Sequence, residues 1–159
     1  MNEPKTETKT IAKVPNPPVG LPRILPHLFY NDLEAAIDWL SNAFDFKVRV
    51  RMGDKEGKIV HGELEVVDSL IMLGLAPEHE HWTAPNKLEG KIHQRMFIFV
   101  ENIDAHFERA KAAGATINIE PRDTWHGERV YEVIDPEGHY WKFSEPIFEI
   151  DQHHLQRPQ

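Results

Sequence analysis

His61 and Glu63 stand two apart in the run Val60-His61-Gly62-Glu63-Leu64-Glu65-Val66. In an extended strand such residues share a face, so an imidazole and a carboxylate are presented together. The apolar set Leu64 and Val66 predicts the core-facing side, which leaves His61, Glu63 and Glu65 on the other. The pair could move a proton near neutral pH, could supply two ligands to a metal ion, or could serve as a hydrogen-bonded structural pair. His79 and His81 are also two apart, near Trp82 and His93, in a stretch with two prolines and no steady period. Metal binding and plain solvation are both open for them. His153 and His154 sit in a polar tail and carry little, although ten histidines in 159 residues is noticeable. No cysteine is present, so thiolate metal sites, disulfides and cysteine nucleophiles are excluded.

The strands and helices around these groups can be read along the chain. Hydrophobic content of 40% and charged content of 28% predict one soluble domain with a real core. The net charge of −8, with no Lys/Arg cluster, argues against nucleic-acid or anionic-membrane partners. The opening MNEPKTETKT lacks a signal-peptide core and no window approaches a membrane span, so a cytoplasmic location is expected. Residues 1–20 hold four prolines and read as a mobile arm; residues 149–159 read as a tail. Between them, Arg23–Tyr30 reads as a strand, and Asn31 or Asp32 caps a helix to about Phe44 with Leu33, Ala36, Ile37 and Leu40 on its stripe. Strands follow at Phe46–Met52, Lys58–Val67 and Leu70–Leu75, then a linker or lid over 76–93. The pattern then restarts: strand Gln94–Val100, a helix capped by Asn102 and ended by Gly114, and strand Ala115–Glu120.

The chain closes with Arg129–Ile134, the turn Asp135-Pro136-Glu137-Gly138, and a strand from His139 to Ser144. Pro presets the turn, Gly supplies a positive φ, and the Asp side chain can accept from nearby backbone N–H groups. The two halves also match in wording: Asp32-Leu33-Glu34-Ala35 and Asn102-Ile103-Asp104-Ala105 lie 70 residues apart. One half alone exposes a four-stranded face, so two must pair. This repeat and the Asp-Pro-x-Gly-His hairpin resemble the vicinal oxygen chelate superfamily of glyoxalases, extradiol dioxygenases and bleomycin-resistance proteins. The resemblance implies an α+β fold over 21–148. Two βαβββ modules, 23–75 and 94–146, would form a cup-shaped mixed sheet with helices on the outer face. It also implies a homodimer.

Metal-dependent members of that superfamily carry one ligand in each of four strands. Carried over, the positions fall on Leu25, a residue near Met72, Arg95 and Lys142, none a ligand that such metals choose. No metal and no cofactor is therefore expected. Alternation from these positions puts His27 and Phe29, Phe97 and Phe99, and Tyr140 and Ser144 in the cup, with His61, Glu63, Arg95 and Lys142 reaching in. Arg129, after Trp125-His126-Gly127-Glu128, resembles the Trp-Gly-x-Arg wording of bleomycin-resistance-like members, which implies a Trp stacked on a planar ligand. His139 is expected to fix its turn. The reading that follows is a cup for a small aromatic or anionic organic molecule, with His27 and His61 as candidate acid–base groups. Arg95 and Lys142 could instead be internal partners of Glu63 and Glu65. An isomerase, cyclase, lyase or dioxygenase type of enzyme is the alternative function.

Overall fold

Each half begins with a strand that starts later than its hydrophobic pattern. The computed structural model describes residues 15–76, 81–89 and 91–148, and in it β1 is His27–Tyr30 rather than Arg23–Tyr30. Pro26 has no N–H to give a ladder, although its carbonyl still accepts from Met72 N at 2.9 Å. Residues 1–14 of the expected arm, the tail 149–159 and His79 lie outside the described residues.

Helix α1 (Leu33–Phe44) is capped by the Asp32 side chain, which accepts from Ala35 N at 3.1 Å. Its predicted stripe is buried, with Ala43 and Phe44 added. Truncating Leu40, which is fully buried, to Ala would cost about 2–5 kcal/mol. Strands β2 (Lys47–Gly53), β3 (Ile59–Val66) and β4 (Ser69–Leu75) complete the first module. A connector with a short 3-10 turn at Pro85–Lys87 leads to the second: β5 (Met96–Phe99), α2 (Ile103–Ala112), β6 (Thr116–Asp123), β7 (Glu128–Ile134) and β8 (Tyr140–Pro146). The fold is α+β, two βαβββ modules. They form two four-stranded mixed sheets, ordered β1-β4-β3-β2 and β5-β8-β7-β6. β1 with β4 and β5 with β8 are parallel pairs.

Two sequence expectations need correction here. Asn102 does not cap α2: its side chain makes no cap bond, and the Glu145 carboxylate accepts from Asn102 N and Ile103 N instead. In the first module the matching carboxylate is Glu137, which accepts from Asn31 N and Asp32 N. β6 also runs past Glu120 through Pro121, because it is an edge strand whose register shifts there.

The modules share one core. Phe44, at the end of α1, packs on Trp141 and Phe143 of β8 with ring centroids 5.2 and 4.8 Å apart. Trp39 Nε1 donates to Ala113 O at 2.9 Å. His106 on α2 meets the Tyr131 hydroxyl through Nδ1 and the Phe44 carbonyl through Nε2. Burial lowers His106 to about 4, so the imidazole is neutral, with Nε2 donating and Nδ1 accepting. The Asp-Pro turn is the other joint. Asp135, buried at 4% exposure, accepts from Glu137 N and His139 N through Oδ1. Its Oδ2 takes the Tyr30 hydroxyl at 2.7 Å and Trp141 Nε1 at 3.0 Å. His139 fixes this turn as expected, and its Nε2 also reaches Phe29 O at 3.0 Å, tying the turn to β1.

Candidate functional site

Alternation divides each sheet into a core face and a cup face. In the first module Leu28, Tyr30, Leu64, Val66, Ile71 and Leu73 are buried against the helices. That leaves His27 and Phe29 of β1, His61, Glu63 and Glu65 of β3, and Met72 and Gly74 of β4 on the other side. The ring of His27 lies 4.6 Å from Phe29 and 6.1 Å from His61. Gly74 makes room for them, since a Cβ there would sit 2.8 Å from His27 Nε2. Burial first, then the neighbouring His61, lowers the pKa of His27, which holds its imidazole neutral. Glu63 is bonded by Arg49 and lies 3.6 Å from His61 Nε2. Trp82, from the connector, stacks on Phe29 at 4.4 Å.

The second module offers a different face. Phe97 and Phe99 of β5 are 43% and 54% exposed, while Ile98 between them is buried. Lys142 Nζ stands 5.3 Å from the Phe97 ring centroid. Burial, then the Arg95 charge, lowers the pKa of Lys142, and no carboxylate among the described residues lies within ion-pair distance of it. Arg95, just before β5, donates to Glu132 at 2.8 Å, and Asn118 bonds the same carboxylate. Ser144 is fully buried, and its hydroxyl has no partner.

The internal-partner reading of Arg95 is thus right in kind and different in partner: Glu132, not Glu63 or Glu65. Glu132 and Asn118 were missed. A Glu set between Tyr131 and Val133 in the apolar run Val130–Ile134 was the available signal. Tyr140 shares the face of Lys142, as alternation requires. Arg129 does not join the cup. It lies on the helix-side face and pairs with Asp104 and Asp123 at 2.9 and 2.7 Å. Trp125 sits in the β6–β7 turn, 49% exposed and edge-on to His126. Among the described residues, no hydrogen bond, ion pair or ring contact links a cup-face side chain of one sheet to one of the other. Each of the two sheets thus carries a cup face of its own.

Strand pairing settles the register left open at Met72. His27 pairs with Met72 and Phe97 with Lys142, so each member is shifted by the same 70 residues as the helix caps. The positions implied for a metal are therefore Leu25, Met72, Arg95 and Lys142. Two are cations, one has no donor atom and one offers a soft thioether, so they do not fit a divalent ion. Among the described residues no three His, Asp or Glu side chains cluster as ligands elsewhere.

Paired βαβββ modules with a polar, aromatic cup face define the class, and residues 20–143 match the family model of the Glyoxalase/Bleomycin resistance protein/Dioxygenase superfamily. The chain belongs to that superfamily. Uncharacterized proteins of Mycobacterium bovis and Mycobacterium tuberculosis are 33% identical over 141 residues, covering 85% of this chain and 90% or 81% of theirs. Among solved structures, TioX from Micromonospora sp. ML1 is 30% identical with a TM-score of 0.63, covering 77% of this chain and 97% of that one. The fosfomycin resistance protein FosX from Listeria monocytogenes, complexed with Mn(II) and sulfate, is 17% identical with a TM-score of 0.56. It covers 77% of this chain and 89% of its own, and at that identity the likeness is one of fold. No helix among the described residues is long and apolar enough to cross a membrane.

Proposed function

We propose that the protein binds a small organic molecule, aromatic in part and anionic or strongly polar at one end, without a metal ion. The cup is completed when the first-module face of one copy meets the second-module face of another in a homodimer. One observation carries the reading. Where the superfamily resemblance implies a metal ligand, Lys142 stands over Phe97 with no carboxylate paired to it among the described residues. A cation on an aromatic platform suits a ligand with a planar body and an acceptor group. A charge-assisted bond to that group is worth about 1.5–3 kcal/mol. Arg95 is less available, because Glu132 already holds it. The test is a thermal-shift screen of planar aromatic acids and polyketide-like compounds, followed by affinities for Lys142→Met. Loss of roughly tenfold or more supports the reading. An unchanged affinity, or a stoichiometric divalent ion in the purified protein, overturns it.

A second reading, an enzyme of isomerase, cyclase or lyase type, is favoured by His27. A neutral imidazole beside His61 can accept a proton at neutral pH. Its test is His27→Gln measured on the best ligand from the screen. Retained binding with lost turnover supports catalysis; no turnover by the unaltered protein removes it.

A further inference from the structure

Beside the cup, and sharing its β1 rings, the connector and the edge of β1 enclose a cleft of about 490 Å³, within the range of small-molecule sites. One wall is a ring series: His27 on Phe29 at 4.6 Å, then Phe29 on Trp82 at 4.4 Å with planes 24° apart. Trp82, Leu88 and Ile92 each keep 39% of their surface in water. Three large apolar side chains held open around one concavity are a standing cost unless something covers them.

The cleft is built rather than incidental. Asn86 N donates to Glu137 O at 2.9 Å and Asn31 Nδ2 to Asn86 Oδ1 at 3.3 Å, fixing the connector on the Asp-Pro turn. Gly138 permits this approach, since a Cβ there would lie 2.9 Å from Asn86 N. Ala84 beside it is fully buried.

Charge narrows the occupant. In a chain of net charge −8, none of the described residues lining this cleft is Asp or Glu, and Lys91, His81 and His93 are among them. We infer that the cleft between β1 and the connector is a second ligand site, taking a planar fused-ring aromatic monocarboxylate. The ring lies against Trp82 and the carboxylate faces Lys91. This site shares His27 and Phe29 with the cup but does not include Lys142, so variants at Trp82 and Lys91 test it apart from Lys142→Met.

The experiment titrates the full chain with 2-naphthoate by calorimetry and by quenching of tryptophan fluorescence, with 2-naphthalenemethanol as the uncharged comparison. Saturable binding is expected, weaker for the alcohol. Trp82→Leu should weaken 2-naphthoate about three- to tenfold, the value of one aromatic pair. Lys91→Glu should weaken it at least as much while leaving the alcohol unchanged. Lys91 is exposed, so that variant decides the matter even if Trp82→Leu folds poorly. Equal affinity of both variants and the unaltered protein overturns the site, as does the absence of saturable binding. Loss of binding in Lys142→Met, with both cleft variants unaffected, would move the ligand to the cup and overturn it too.

Discussion

Glu132 lies across the β7–β8 ladder from Lys142 as Glu63 lies across the β3–β4 ladder from Met72. The two glutamates are one position of the repeat, and each is held by an arginine: Glu63 by Arg49, Glu132 by Arg95. Each sheet places a carboxylate on its cup face, and the cation that holds it comes from a different part of the module. Arg49 comes from β2, whereas Arg95 comes from the lead into β5.

Glu132 is only 3% exposed, so losing its cation should be costly. Arg95→Met leaves Asn118 as its hydrogen-bond partner, at an expected loss of about 1–3 kcal/mol in urea unfolding. Adding Glu132→Leu should restore most of that loss, since removing both partners leaves no orphaned charge. A double variant no more stable than Arg95→Met would show that the pair does not act as a unit.

Asp135 is the next test, because it accepts four hydrogen bonds where the modules join. Asp135→Asn keeps the shape but places an amide N–H₂ among donors. A loss of about 2–4 kcal/mol is expected, and Tyr30→Phe, which removes one donor, should lose about 1–2 kcal/mol. Similar melting temperatures for Asp135→Asn and the unaltered protein would mean that the turn, not its side chain, holds the joint.

His106 predicts an acid limit to stability. Its folded pKa, lowered to about 4, lies below the ordinary 6.5 of the unfolded chain. Above pH 6.5 both states are neutral and the group contributes nothing. As pH falls from 6.5 towards 4 the unfolded chain takes up the proton first, so stability declines. The expected decline is about 2–3 kcal/mol, discounted because the ring keeps some contact with water. Urea midpoints at pH 7, 6 and 5 should converge on a shallower slope in His106→Gln. His27, lowered in the same direction, should leave a smaller residue of the effect.

The fold was legible because its signals are local and repeated. The helix stripe, the Asp-Pro-x-Gly-His turn and the 70-residue offset each survive in one chain without neighbours. Cup membership was legible wherever apolar residues marked the opposite face, as Leu64 and Val66 did for His61 and Glu63. Ionic partners were not, since they depend on register across strands. Glu132 on β7 reaches Arg95 across β8, through one antiparallel and one parallel pairing, a link that no spacing within one strand encodes. Arg129 misled because its motif wording carries no parity. One step along β7 moved it to the helix side, where Asp104 holds it. The helix cap at Asn102 failed for a similar reason, as its carboxylate comes from Glu145 in a strand.

A cup made by two copies can be told from one made within a chain by mixing two variants. Met72→Trp should block the first-module face, and Lys142→Glu should reverse the charge of the second. Each variant alone then lacks every working cup. In a heterodimer of the two, one cup pairs both altered faces and the other pairs both unaltered ones. Random mixing makes about half of the dimers heterodimers, so about a quarter of all cups should work again. Co-refolded mixtures, titrated with the best ligand from the screen, should regain that fraction of sites. Sedimentation should find a dimer of the 18.4 kDa chain at micromolar concentration. A monomer, or a mixture with no recovered sites, would mean that the two half-cups are not joined across copies.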